Sequence, residues 1–482
     1  MSTAVDKNAQ ALQALFGSAS LADRLGTTRI AVVTPDAVLQ PSGHLLAKTL
    51  ADVLARLWPN IDFSGFGAEE HLATALSAAS SGGCSGDGLM VRWAPPYDMV
   101  ISLGCDAQPD SGHSLRVGAN GWVAELGSEA VCGESDNPVG PAFVAAMAAA
   151  QVFYTVFEVE LSGRGAIVLE DCCIDVRELF DATNLEVAAL DFGETHVFGV
   201  GAVTHGLVHL LESWPENVSG KLHLVDQDTY GNTNGQRYAF MRSENANRLK
   251  VDEIDSRLKI AHHNLAVIAH PKDLNTYCAE RGYDEPLLRV IAGLDSAEAR
   301  RQVALKLPER AVNMWTEGVR VGAGRYMSAT GSACLACDYL EKVDVSFDEV
   351  ALLHQQTGLR PDVVRTLLDG SHGLSQDEAS IIASRWSVTP DQFVGQPLRS
   401  VMPVLCATGR LDFQSNSEAV DVPFAFASLF AGIAGFMMLL KDLKTGNAPS
   451  QGWTQHVFKK PSVHMHRLLH QRVECVCCNE QT

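Results

Sequence analysis

Short apolar runs bounded by turn residues alternate along this chain with longer stretches whose apolar positions recur at helical spacing. "RIAVVTPDAVLQPSGHLLAKTLADVLARLWPNIDFSG" (29–65) reads as strand, loop, amphipathic helix and second strand. "DMVISLG" (98–104) is a buried-strand run, "WVAELG" (122–127) a shorter one, and "NPVGPAFVAAMAAAQVFYTVFE" (137–158) a long helix of small residues. The pattern restarts near residue 186. "THVFGVGAVTHGLVHLLES" (195–213) gives strand, glycine turn and helix; "KLHLVDQD" (221–228), "NLAVIAH" (264–270) and "LLRVIAGLD" (287–295) supply further strands. An apolar helix at 422–440 closes this half as 137–158 closes the first. The fold class expected is α/β, with two Rossmann-like doubly wound domains. Between them, 338–405 is mostly helical, with caps at Ser375–Gln–Asp–Glu and Thr389–Pro–Asp–Gln. The expected organisation is 1–185, then 186–337, a helical insert and crossover region at 338–410, and 411–482 completing the second domain.

Composition narrows the class. A chain of 482 residues with 46% hydrophobic content can bury the cores of two or three domains. A net charge of −20 lacks the basic stripe that a phosphate backbone requires, so no nucleic-acid partner is expected. Residues 1–20 have no basic start followed by an apolar run, and a cytoplasmic location is expected. In that setting twelve cysteines point to thiols, a metal site or catalysis rather than a disulfide framework. The uncharged stretch Val422–Leu440 has the length of a membrane span. Its Ala, Gly and Ser content, ending in "KDLK", favours a helix inside a large core, so no membrane partner is expected.

Candidate chemistry starts at the glycine turn. Gly199–Val–Gly201 ends a strand and opens a helix, so backbone amides and the helix N-terminus can face phosphates; a tight turn packing helix on strand accounts for it equally well. Asp226, 25 residues beyond Gly201, ends the next strand, where an acidic residue can meet ribose hydroxyls. Asn234, Arg237 and Lys250 have no place in a dinucleotide fingerprint. They point to a triphosphate held beyond the ribose.

The register D-x-D-x-x-x-x-[ST]-N-x-x-R, followed thirteen residues later by lysine, resembles the adenylation domain of ubiquitin-activating enzymes. The adenylyltransferases of thiamine and molybdopterin biosynthesis share it. Asp226, Asp228, Thr233, Asn234, Arg237 and Lys250 fit it, and "GLDSAEAR" supplies a strand-end Asp295 and Arg300. The resemblance implies that Asp226 holds the ribose and that Asn234, Arg237 and Lys250 bind the phosphates of ATP. Asp295 would help to place Mg²⁺, which prefers oxygen ligands. The sequence departs from the family's G-x-G-G-x-G at Ala202 and Thr204, and Gly235 and Tyr238 replace its common leucine and glutamine. The first half has Thr34–Pro35–Asp36 after its first strand and no D-x-D, which implies an inactive adenylation-like domain. The layout resembles the two-half activating enzymes of bacterial ubiquitin-like conjugation operons linked to phage defence. Family dimers pass an arginine between subunits, a role for which Arg24 is poorly spaced here.

The cysteines extend the resemblance. Cys334–Leu–Ala–Cys337 and Cys475–Val–Cys477–Cys478 offer two C-x-x-C pairs, suited to tetrahedral structural Zn²⁺ through Cys334, Cys337, Cys475 and Cys478. Cys477 competes as a ligand, and a metal-free reading leaves the cysteines simply buried. Cys406, followed by Thr408, lies in the crossover region where activating enzymes carry their thioester cysteine. The other six cysteines read as structural. The resemblance therefore implies adenylation of a ubiquitin-like modifier's C-terminal carboxylate, a thioester at Cys406, and transfer to a conjugating enzyme, with a homo-oligomer compatible. The alternatives are a sulfur-carrier adenylyltransferase or a catalytically dead scaffold that binds a modifier.

Overall fold

A computed structural model describes residues 4–82, 86–106, 111–162, 171–282, 285–328, 332–339, 350, 353–354, 357–368, 373–386, 389–396, 398, 423–446, 448–472, 475 and 477. Two sheets organise it. The first holds β1 (Ile30–Val33), β2 (Ile61–Ser64), β3 (Leu89–Val91), β4 (Tyr97–Leu103), β5 (Ser111–Asn120), β6 (Val123–Leu126) and β7 (Cys172–Asp175), in the order β3-β2-β1-β4-β5-β6-β7. The second holds β8 (Leu190–Phe198), β9 (Val218–Val225), β10 (Leu265–His270), β11 (Arg289–Ala292), β12 (Arg310–Glu317), β13 (Arg320–Met327), β14 (Gln451–His456) and β15 (His466–Leu468). Its order is β10-β9-β8-β11-β12-β13-β14-β15. In each sheet the first five positions are parallel and the remainder antiparallel. The fold is α/β with two doubly wound, Rossmann-like units of one strand order.

The central strands β1, β4 and β11 carry short apolar runs (Ile30–Val32, Met99–Ile101 and Val290–Ala292) buried because both faces are covered. Covering comes largely from the helices Val139–Val156 and Ala425–Thr445, each long and apolar enough to cross a membrane by length and composition, and each almost wholly buried here. They join the two halves. Phe143 meets Phe430 edge-to-face at 5.3 Å, and Phe153 lies 4.7 Å from Phe424. A Cβ on Gly432 would lie 2.5 Å from the backbone carbon of Gly206, so glycine is what lets Ala425–Thr445 approach the helix Ala202–Glu212. One apolar core runs through both halves.

Charges pin the end of the long helix. The buried Asp442 accepts from Arg325 (2.9 Å) and Arg289 (2.7 Å), and Lys441 donates to the Phe180 and Asp181 carbonyls of the preceding segment (3.0 and 2.7 Å). Between β13 and this helix, the described helices Pro361–Leu368 and Gln376–Trp386 enclose a small separate core of Leu353, Leu359, Val364, Leu367, Ala379 and Ile382. The capping box forms: the Ser375 amide donates to Glu378 (2.7 Å) and the Glu378 amide to Ser375 Oγ (3.3 Å).

Candidate functional site

In the second sheet β8 lies between β9 and β11, so the chain winds to one side through β9 and β10 and then crosses to the other. The crevice beyond the carboxyl ends of β8 and β11 is the topological switch point, where open α/β sheets receive ligands. Gly199, just past β8, has φ +86°, and a Cβ there would lie 2.8 Å from the Gly293 carbonyl oxygen beyond β11. Glycine is required on both counts. Gly201 then sits at the N-cap of the helix Ala202–Glu212. Thr204, one of the departures from the glycine-rich turn, donates its hydroxyl to the Gly199 carbonyl (2.7 Å) and fills the space above Gly293. The turn therefore keeps its shape with a hydroxyl in place of a glycine.

Asp226 follows β9 and organises this turn. Its Oδ2 accepts from the Val200 amide (2.7 Å) and its Oδ1 from the Asp228 amide (2.8 Å). Burial pushes its pKa up, against the nearby Lys250 cation. Lys250 opens the helix Lys250–Ala261; its Nζ pairs with Asp228 at 2.8 Å and faces Asp226 Oδ2 at 3.9 Å. Burial opposes its charge, yet Tyr238, Asp226 and Asp228 outweigh burial and raise its pKa. Lys250 is a buried ammonium held charged, while most of the Asp228 side chain faces solvent.

The segment between Asp228 and Lys250 closes back on itself: Thr229 bridges Leu249, and Tyr230 exchanges backbone bonds with Asn247 and Arg248. Asn234 Oδ1 accepts from the Gly231 amide at 2.8 Å, which shapes the turn before Arg237. The Tyr238 ring lies 5.4 Å from the Arg237 guanidinium and 5.9 Å from Lys250 Nζ, so one aromatic ring is close to both cations. Beneath it, His205 donates from Nδ1 to the Gly201 carbonyl (2.9 Å). Its Nε2 is therefore left to accept the Tyr230 hydroxyl (2.6 Å). Burial lowers the His205 pKa to about 3, so the ring stays neutral.

Asp295 is exposed at the end of β11 and has no protein partner among the described residues, which leaves its oxygens to a cation or water. Its neighbour Arg300 is buried rather than on a solvated helix face. It donates to Asn313 (3.0 Å) and to the Leu294 carbonyl, and packs on the Tyr339 ring. Arg300 thus holds the strand end that presents Asp295.

The structure brings Gly199, Gly201, Asp226, Asp228 and Lys250 together, and Tyr238 links Arg237 to Lys250. The sequence reading missed the contribution of the first half: Arg56 donates to the carbonyls of Gly235 and Met241, and Asp52 accepts from the Phe240 amide. The signal for it was a charged i, i+4 pair on an otherwise apolar helix end. Arg24 pairs instead with Glu160 at 2.8 Å.

A thiol cluster lies beside the antiparallel end of the second sheet. The sulfurs of Cys334, Cys475 and Cys477 lie within 4.8 Å of one another, Cys334 Sγ being 3.5 Å from Cys475 Sγ, and Cys337 Sγ is 3.9 Å from Cys334 Sγ. Tetrahedral zinc with bonds of about 2.3 Å places its sulfurs roughly 3.8 Å apart, so the donor set fits this metal. Cys478 and Cys406 lie outside the described residues.

The turn after β1 in the first half is built differently. Leu39 packs where a Cβ of Gly43 would stand, 2.5 Å from it, and Thr34 donates to the Ser64 and Phe66 carbonyls. Pro41, at the start of the following helix, has no amide to offer.

No protein-family model matches the chain. The uncharacterized protein y4jF of Sinorhizobium fredii (strain NBRC 101917 / NGR234) is 30% identical over 386 residues, 76% of this chain and 72% of its own length. Among solved structures, E. coli MccB crystallised with MccA-N7isoAsn, with AMPCPP and selenomethionine MccA, and with succinimide aligns over 76% of the chain and 97% of its own. The identities are 12%, 12% and 13%, and the TM-scores 0.35, 0.32 and 0.31, too low to transfer a site.

Proposed function

The chain belongs to the family of the Sinorhizobium fredii protein y4jF, and we propose that it is an ATP-dependent activating enzyme for a ubiquitin-like modifier. The observation that carries the reading is the convergence at one switch point of a glycine turn, a strand-end Asp226 and a buried, charged Lys250. A triphosphate laid over Gly199–Gly201 would meet the amide end of the helix and the Lys250 ammonium. It would displace Asp228 from that lysine, and Arg237, half-buried with its guanidinium over Tyr238, would supply a second cation. Asp226 already uses both oxygens on backbone amides, and each keeps a lone pair for a ribose hydroxyl.

The chemistry assigned to this site is attack by a carboxylate oxygen on the α-phosphorus, with pyrophosphate leaving and an acyl-adenylate formed. The chain's own part is positioning and charge: Lys250 and Arg237 offset the negative charge of the departing phosphates. Asp295, an exposed oxygen donor, suits Mg²⁺, which would neutralise phosphate charge when bound. Cys334, Cys337 and Cys475, with either Cys477 or the Cys478 expected from the sequence as fourth ligand, would hold Zn²⁺ in a structural role. Cys406 would then attack the adenylate carbonyl, releasing AMP and leaving the modifier as a thioester for a conjugating enzyme. Transfer would take place in the cytoplasm, within a bacterial antiphage conjugation system.

The test is a mixture of the chain, ATP and a candidate modifier, followed by mass spectrometry of the modifier and by gel analysis with and without thiol. We expect AMP on the modifier's C-terminus and a thiol-sensitive adduct that Cys406→Ala abolishes while adenylation persists. A thiol-sensitive adduct that survives Cys406→Ala removes that cysteine from the scheme. A modifier never adenylated removes the scheme itself.

A further inference from the structure

The first half sets two buried charges against the backbone of a segment of the second half's site. Asp52 and Arg56 sit at the end of the helix Pro41–Ala55 and are 2% and 0% exposed. They form a bidentate pair: Arg56 Nε donates to Asp52 Oδ2 at 3.0 Å and Nη2 to Oδ1 at 2.6 Å. The pair then grips the segment 235–241 at both ends. Arg56 Nη1 donates to the Gly235 carbonyl and to Ser81 Oγ (3.0 Å), and Nη2 donates to the Met241 carbonyl (3.2 Å). Asp52 Oδ2 accepts the amide of Phe240 (3.0 Å), a residue at φ +57°.

Two further observations show that the backbone of this segment is constrained rather than merely covered. Phe240 occupies the left-handed region, which a bulky residue adopts only when its surroundings impose it. A Cβ on Gly235 would lie 1.9 Å from the Ser81 carbonyl oxygen, so the helix Ala68–Gly82 presses on the segment from the first half as well. Between these two fixed points stand Arg237 and Tyr238, whose ring is close to Arg237 and Lys250.

We propose that Asp52 and Arg56 are positioning residues: an ion pair of the first half that sets the backbone from which Arg237 reaches the phosphates of ATP. The proposal rests on the nucleotide reading of that site. It assigns the first half a part in phosphate binding with no first-half side chain touching the nucleotide. Arginine suits the task because its planar fork donates in several fixed directions at once, to one carboxylate and two carbonyls. Lysine keeps the charge but offers a single point.

The experiment compares Arg56→Lys, and the double variant Asp52→Leu with Arg56→Met that leaves no stranded charge, with the unaltered chain. Amide hydrogen exchange without nucleotide should show lost protection across 235–241, Phe240 included. In ATP–pyrophosphate exchange the KM for ATP should rise by about tenfold or more, since small misplacements of binding groups carry such costs. In a cycle with Arg237→Ala, Arg56→Lys should add almost nothing, because it acts through that arginine. Protection unchanged across 235–241, a KM within roughly twofold of the original, or additive effects in the cycle overturn the proposal. Exchange that is absent in the unaltered chain overturns the nucleotide reading and this role together. Exchange present but indifferent to Arg56→Lys overturns the role alone.

Discussion

Lys250 shows how a single residue can be legible in a sequence while its neighbours are not. Its spacing from Arg237 and Asp226 singles it out, and in the structure it is the buried cation between Asp226, Asp228 and Tyr238. Arg300 was equally visible in the sequence as part of "GLDSAEAR", but its burial against Asn313, Leu294 and Tyr339 was not. Leu294 lies in the motif itself, but Asn313 and Tyr339 come from a different strand and helix, and local spacing carries no record of them. Arg56 is further still from view, since Gly235 and Met241 are nearly two hundred residues away in the chain. Replacing Lys250 by methionine keeps the stem's packing and removes the charge. ATP-dependent turnover should fall by on the order of 100-fold or more. Losing the ammonium also leaves Asp226 buried without its cation, for about 1–3 kcal/mol of stability. Steady-state kinetics with a thermal melt checks both, and turnover unchanged at a lowered melting temperature would make Lys250 a structural residue.

At the scale of elements, apolar runs located β1, β2, β4 and β8 to β11 but not the parallel β3 at the sheet edge. They also passed over β12, which pairs in parallel with β11, and the antiparallel β13 that follows. Gly322 and Gly324 lie within β13 because aromatic side chains occupy their Cβ positions: Trp315 carbons would lie 2.3 Å away from one and the Tyr326 hydroxyl 2.4 Å from the other. The strand β5 escaped for a related reason, its Gly, Ser and Asn content giving no apolar run. Beside the antiparallel β13 to β15 lies the cysteine cluster, which ties the short helix Leu335–Tyr339 to Cys475 and Cys477. We expect the purified protein to carry about one zinc per chain. Cys334→Ala and Cys475→Ala should each lose the metal and lower the melting temperature, as should a strong chelator, because binding free energy at such a site is folding free energy. Elemental analysis with calorimetry decides this; a metal-free protein whose melting is indifferent to chelator would contradict it.

For the whole molecule, the repeated strand order is the organising fact. The two apolar helices at corresponding places in the sequence made the halves visible as relatives, and in the structure those helices meet at Phe143 and Phe430. The first half's Pro35 and missing acidic pair are visible in the sequence, whereas the packing of Leu39 on Gly43 is not. What the sequence did not disclose is the division of labour across the interface, where Asp52 and Arg56 of one half hold a loop of the other. The central claim is that the second crevice adenylates a carboxylate. Its most direct test is ATP–pyrophosphate exchange, comparing the unaltered chain with Asp295→Ala, an exposed position whose replacement should leave folding intact. Exchange should depend on a modifier's free C-terminal carboxylate and fall by at least about 100-fold in Asp295→Ala. Exchange that persists in Asp295→Ala, or that no carboxylate partner elicits from the unaltered chain, would contradict it.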